Sequence, residues 1–516
     1  MLVHQFLENS AERFPDKTAL VCGDRRVSYT ALHQASRGLA GALLELGLQR
    51  QDRVVIFCEN SIEAVTALFG ILMAGGIFVM LNPAMKARKL AYILNNSGAR
   101  AVIAQADRAM LMREAISEAP AVRHVVWVGS SKSAAGPGAP AIAEHLWEAL
   151  LGEAEKRPGI LPAAGIDVDL ATIIYTSGST GEPKGVMSAH CNVVAAARSI
   201  TGYLQNTPDD VILDTLPLSF DYGLYQVFMA ALFGGTVVLE PSFAFPYRVL
   251  ERLVQERVTG FPIVPTVAAL LLQMQDLSRF DFSSLRYITN TAAALPVAHI
   301  RRLLAIFPGK RIYSMYGLTE CKRVAYMPPE KLPERPGSVG IAMPNCEVFV
   351  VDEDGRKLGA NQVGELVVRG ANVMQGYWNA PEETAKRFRP GRYPADTLLH
   401  TGDLFRQDEE GFLYFVGRKD DMIKTKGERV SPKEIENIIC EMEGVAEAAV
   451  IGVPDDILGQ AIKAFVVCSR NPGPTDAAVI HHCKKHLEPF MVPKEVVFRD
   501  ALPRTASGKI DKKPLR

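Results

Sequence analysis

The chain has 516 residues, 48% of them hydrophobic and 22% charged, and its 57 basic side chains balance 57 acidic ones. That length exceeds what one hydrophobic core serves, so at least two domains are expected. Zero net charge excludes a general role on nucleic acid or on an anionic membrane surface.

In chain order, the first twenty residues carry early acidic side chains and no uninterrupted apolar stretch, so no signal peptide is read there. Residues 32–46 have apolar positions at helical spacing, and 53–57 read as a strand. The uncharged run 64–81 is broken by Gly70, Gly75 and Gly76. It reads as a buried helix (62–74) turning into a buried strand (77–81), not as an integral membrane segment. A helix over 86–95 and strands at 101–104 and 124–128 continue the rhythm, which predicts a layered α/β sheet. Residues 129–140 (GSSKSAAGPGAP) form a low-complexity loop. Apolar residues Leu170, Ala171, Ile173 and Ile174 mark a strand entering YTSGSTGEPKGV (175–186), and 190–200 read as a helix after it. A second α/β run spans 211–316. From 340 to 415 short alternating strands with Gly and Asn turns predict a small antiparallel unit. Charged residues 418–421 mark a linker, and the remainder fits a small α+β domain.

The fold class is therefore α/β and multi-domain. A large N-terminal domain (1–417) holds two layered α/β subdomains and a small β unit, and a small C-terminal domain spans 418–516. The eight cysteines are scattered without a CxxC pair, as expected of reduced thiols in a cytoplasmic protein. His481, His482 and Cys483 are adjacent on a helix and face different directions, so they serve a metal poorly.

The stretch 175–186 is the chemical centre of the sequence. A Gly/Ser/Thr loop between a strand and a helix offers backbone N–H groups and hydroxyls to an anion. Lys184 adds a point charge. Pro183 before the lysine and Gly185 after it exclude a Walker A loop. Further motifs follow in order: YGLTE (316–320), GELVVRG (364–370), GYWN (376–379), HTGDL (400–404), GRKDDMIKTKGERVSPKEIE (417–436) and PRTASGKI (503–510). This ordered set resembles the AMP-forming superfamily of acyl-CoA synthetases, amino-acid adenylation domains and luciferases, and the resemblance covers essentially the whole chain.

The resemblance implies an ATP-dependent acid–thiol ligase that forms an acyl-adenylate and then transfers the acyl group to a thiol. It implies that Thr176, Ser177, Gly178, Ser179, Thr180, Gly181 and Lys184 contact the β- and γ-phosphates. Glu320 would ligate Mg²⁺, a hard cation that prefers oxygen. Thr319 would touch the α-phosphate, and Tyr316 with Gly317 would lie against adenine. Asp403 would accept the ribose hydroxyls, with Arg418 nearby. Lys509 would be the mobile catalytic lysine, Asp420 the hinge, and Gly427 the glycine beside an incoming pantetheine. The acceptor expected is coenzyme A, with the phosphopantetheine of a separate carrier protein as the alternative.

The acid pocket implied by the resemblance comprises Phe220, Asp221, Tyr222, Tyr225, Ala292, Ala293 and Arg323. Here PLSFDYG (217–223) replaces the aromatic-His pair common in fatty-acyl ligases. Phe220-Asp221 resembles amino-acid adenylation domains, whose Asp meets the substrate ammonium. Alternatively, Asp221 pairs within the protein, with Arg323 as a candidate partner, and Arg323 is equally placed to meet an acidic group on the substrate. The sequence reading favours a plain carboxylic acid. The alternative is an amino-acid adenylating enzyme that loads a carrier.

Overall fold

A computed structural model describes residues 1–129, 142–154, 165–176, 182–394, 396–425, 428–455, 458–469, 472–505 and 508–516. Ser177, Gly178, Ser179, Thr180, Gly181, Gly427 and almost all of the 129–140 loop lie outside them.

Two large sheets form the N-terminal part. Edge to edge, the seven-stranded sheet runs Ala143–Leu146, His124–Val128, Ala101–Gln105, Arg53–Phe57, Ile77–Met80, Leu170–Thr176 and Lys184–Ala189. All neighbours are parallel except the last pair. The nine-stranded sheet has a parallel centre of Arg311–Tyr316, Tyr287–Asn290, Gly260–Ile263, Val211–Asp214, Thr236–Leu239 and Thr18–Cys22. The strand Thr18–Cys22 comes from the N-terminus and pairs in parallel with Thr236–Leu239. The first strand of the chain thus belongs to the second sheet.

These strands are continuous apolar runs because helices cover both faces. Helix Ile62–Met73 is buried along nearly its whole length, and Ser61 caps it by accepting from the Ala64 N–H. Helix Asp221–Phe233 is likewise enclosed. Phe228 meets Phe69 and Phe78 edge-on across the two sheets' shared core.

Antiparallel strands Cys346–Val351, Val363–Gly370, Thr397–Gln407, Phe388–Pro390 and Leu413–Arg418 form the predicted β unit around its own core. After Arg418 the chain enters a small α+β unit. Its sheet joins Glu428–Val430, Ile423–Thr425, Gly459–Cys468, Val445–Asp455 and Glu495–Phe498, and helices Pro432–Cys440 and Asp476–His486 pack on it.

One element departs from expectation. The phosphate-type loop does not lead from strand to helix. It joins two antiparallel strands, with Thr176 opposite Lys184, and the helix begins only at His190. Any anion grip in that loop comes from a hairpin, not a helix N-terminus. Along its outer edge the strand Lys184–Ala189 pairs with the GYWN segment: Met187 N–H donates to Gly376 O and Trp378 N–H to Gly185 O.

Among the described residues, no helix is long and apolar enough to cross a membrane, and no His/Cys/Asp/Glu group is arranged to hold a metal. The His482 ring lies 3.1 Å from the Ile438 carbonyl, and Cys483 is buried.

Candidate active site

Ligands of open parallel sheets bind at the carboxyl ends of the strands. Tyr316 ends the strand Arg311–Tyr316 there. Its hydroxyl donates to Asp403 Oδ2 at 2.6 Å, and its ring meets Phe405 edge-on. Arg418 Nε lies 3.4 Å from Asp403 Oδ1. Burial pushes the Asp403 carboxyl above the ordinary range, while Arg418 and the Tyr316 hydroxyl oppose that, as does the charge of Lys509. The HTGDL motif, the linker arginine and the tail lysine therefore share one electrostatic site.

Glu320 is half-buried, and one of its oxygens accepts from the Tyr377 hydroxyl at 2.6 Å. The Glu320 carbonyl accepts from Met374 N–H. Lys184 sits 5.7 Å from the Tyr377 ring centre and pairs with Glu383. Lys184 and Lys386 hold the Glu383 carboxyl down at about 2. The GYWN tyrosine thus ties the phosphate-loop lysine to the YGLTE glutamate, a link that sequence reasoning missed. Its signal was present: GYWN belongs to the same motif set, but strand pairing with 184–189 is what brings it in. Among the described residues, the Thr176 hydroxyl reaches the Lys184 carbonyl, at 3.5 Å. Thr319 is half-buried beside Glu320.

The tail turn is closed by Thr505: its N–H donates to the Lys509 carbonyl at 2.8 Å, and its hydroxyl accepts from Lys509 N–H at 3.2 Å. Gly508 has φ +78°, which suits glycine. A Cβ there would lie 3.5 Å from the Thr266 hydroxyl and 3.7 Å from Val264. The turn is thus docked on the large domain where helix Pro265–Gln273 begins. Asp420 lies in the turn after Leu413–Arg418, where Lys419 N–H donates to Gly402 O.

The acid-pocket residues separate into two groups. Phe220, Ala292 and Ala293 are at least partly exposed, as is Gly317, expected beside adenine. Tyr222 and Tyr225 are only 2% and 1% exposed and pack into the core, with the Tyr222 hydroxyl 2.6 Å from the Thr289 hydroxyl. The expected Asp221–Arg323 pairing is not the one formed. Lys322 takes that place: its amine lies 3.4 Å from Asp221 Oδ2, donates to the Asp221 carbonyl, and rests 4.2 Å from the Tyr225 ring centre. Burial draws the Lys322 amine down to about 7, although Asp221 favours its charged form. The reason is backbone geometry. Lys322 has φ +64°, and Arg323 N–H donates back to Cys321 O at 2.8 Å. This γ-turn swings the Lys322 side chain inward, a conformation that sequence spacing does not reveal.

The fold and site are those of an adenylate-forming enzyme with a large N-terminal α/β domain and a small C-terminal domain. The chain belongs to the AMP-binding enzyme family: that family's model matches residues 7–378, and the model of the AMP-binding enzyme C-terminal domain matches 434–509. It is similar to the long-chain-fatty-acid–CoA ligase of Salmonella typhimurium, 33% identical over 99% of this chain and 93% of the relative. Among solved structures it resembles the anthranilate CoA ligase AuaEII in complex with anthranoyl-AMP (TM-score 0.90, 28% identity, covering 100% of this chain and 96% of the other). It also resembles ATP-bound MatB of Rhodopseudomonas palustris (TM-score 0.87, 30% identity, covering 100% and 98%).

Proposed function

We propose that this protein is an acid–CoA ligase that activates a carboxylic acid with ATP. The observation that supports this most is the meeting of side chains from distant segments of the chain. Tyr316, Asp403 and Arg418 form one cluster, Glu320, Tyr377 and Lys184 a second, and the charge of Lys509 bears on Asp403 of the first.

In the first step a carboxylate oxygen of the acid attacks the α-phosphorus of ATP. A new O–P bond forms, the bond to the bridging α–β oxygen breaks, and pyrophosphate leaves with that electron pair. Asp403 accepts both ribose hydroxyls, since a carboxylate has room for two donors. Lys184 meets the outer phosphates, exchanging Glu383 for them. Lys509 places a cation where negative charge gathers between carboxylate and phosphate, the placement that lowers a barrier most. Glu320 suits Mg²⁺: it is an oxygen donor, and Tyr377 orients one of its oxygens. That ion, when bound, supplies charge neutralisation of the phosphates.

In the second step the coenzyme A thiolate attacks the acyl carbon, and AMP leaves with the electron pair. The C-terminal domain, taken as 418–516 against 1–417, turns about Asp420 between the steps and withdraws Lys509. Asp221 is already held by Lys322, which favours a plain acid over an amino acid and coenzyme A over a carrier-loading role. The work is placed in the cytoplasm. ATP–pyrophosphate exchange across fatty, aryl and amino acids tests this reading. Exchange that appears only with amino acids would overturn the choice of acid.

A further inference from the structure

The γ-turn at 321–323 is built with care for a segment next to a reaction site. Its central residue is a lysine in the left-handed region, a strained state for a side chain of this size. Asn372, 1% exposed, clamps it by donating to both Cys321 O and Arg323 O at 3.0 Å. Gly317 lets the turn pass underneath, since a Cβ there would collide with the Lys322 carbonyl and lie 3.0 Å from the Arg323 Cα.

The result is that Arg323 is 2% exposed. Its guanidinium lies 5.3 Å from the Tyr222 ring centre and borders Tyr203. Its Nε has no hydrogen-bond partner, and among the described residues no carboxylate lies within ion-pair distance of it. The adjacent Asp221 is taken by Lys322. Arginine stays protonated in proteins, and a buried cation without an anion is costly. A ring face offsets only part of that cost.

Arg323 is not isolated in this. Asp214 Oδ2, the Thr215 hydroxyl, the Tyr225 hydroxyl and Asn290 Oδ1 are also buried without partners. Asp214 and Asn290 end strands in the same parallel run as Tyr316, so these groups collect at its carboxyl edge. Burial pushes the Asp214 carboxyl well up, opposed by the Leu216 N–H and the Lys322 charge.

We infer that Arg323 is a specificity-determining residue that receives a second carboxylate at the far end of the acid substrate, so that the enzyme activates a short dicarboxylic acid. This rests on the adenylation reading above. Phe220 and Gly317 are partly exposed, and the Arg323 backbone passes directly beside Gly317. A long alkyl chain directed the same way would bury the unpaired charge in hydrocarbon, which the physics opposes.

The test is pyrophosphate exchange with the wild type, Arg323→Gln and Arg323→Lys. Straight-chain dicarboxylic acids of three to six carbons are set against monocarboxylic acids of the same lengths. The expected result is a wild-type preference for a diacid. In Arg323→Gln the ratio of diacid to matched monoacid kcat/KM falls roughly 30-fold or more, chiefly through KM, as for loss of one partner of a buried charge pair. Arg323→Lys restores part of that ratio. Thermal shift in the absence of ATP gives a second readout: the preferred diacid raises the wild-type melting temperature but not that of Arg323→Gln. Exchange with monoacids that exceeds that with every diacid overturns the inference and leaves adenylation standing. Exchange with no acid of any kind sinks both.

Discussion

Removing the Asp221 carboxylate tests the buried pair beneath the acid pocket. The Asp221 and Lys322 side chains are 9% and 1% exposed, with 3.4 Å between charges. At an effective dielectric constant near 20 that pair is worth about 5 kcal/mol of attraction. Asp221→Ala leaves the amine with a backbone carbonyl and the Tyr225 ring. Its proton is then easily lost, because burial already holds it at about 7 against 10.5 for a free lysine. Losing the proton limits the damage, so we expect destabilisation of about 3 kcal/mol, the low end for an orphaned buried charge. The double variant Asp221→Leu/Lys322→Met should recover most of it, since an apolar pair of similar volume is tolerated where half a salt bridge is not. Sign follows from linkage: between about pH 7 and 10.5 the unfolded chain keeps the Lys322 proton that the folded chain has lost. Stability from this group therefore rises with pH through that window and is at its lowest below it. In Asp221→Ala the window should extend to lower pH. Urea denaturation followed by tryptophan fluorescence at pH 6, 7 and 9 measures this. A single variant within about 0.5 kcal/mol of wild type, or a double variant no better than the single, would refute the pairing argument.

Lys509→Ala should slow adenylation by roughly 10²-fold or more, about 3 kcal/mol. Thioester formation from pre-made acyl-adenylate should survive far better, and equal loss in both half-reactions would remove the assignment. Asp420→Pro fixes one backbone torsion in the turn after Arg418. It should impair one half-reaction and spare the other, as separate assays of the two steps would show. Tyr377→Phe removes the donor that orients Glu320. The Mg²⁺ concentration for half-maximal exchange should rise roughly tenfold or more, and an unchanged Mg²⁺ titration would separate the two residues functionally.

Much of this molecule is legible from periodicity. The strands at 53–57 and 124–128 and the helix–glycine–strand unit at 62–81 follow directly from apolar spacing, because burial on two faces writes itself as continuous hydrophobic runs. Four things were not legible, each for a physical reason. The strand after the phosphate loop is short and ends at a helix, so it reads as part of the loop. The pairing of Thr18–Cys22 with Thr236–Leu239 is a long-range choice of partner, which local pattern does not encode. Lys322 turned inward because of a left-handed backbone held by Asn372, fifty positions away in sequence. Charge order alone pointed to its neighbour Arg323. Tyr222 and Tyr225 read as open pocket residues beside Phe220, yet both are almost fully buried on a helix enclosed along its length.

In the proposed reaction, ATP is cleaved between its α- and β-phosphates to drive thioester formation. Incubating the protein with ATP, Mg²⁺, coenzyme A and its acid, then separating the nucleotides and thioesters by liquid chromatography with mass detection, tests that directly. AMP, pyrophosphate and acyl-CoA are expected in equal amounts. Formation of ADP and orthophosphate with the thioester, or no acid-dependent AMP at all, would contradict it.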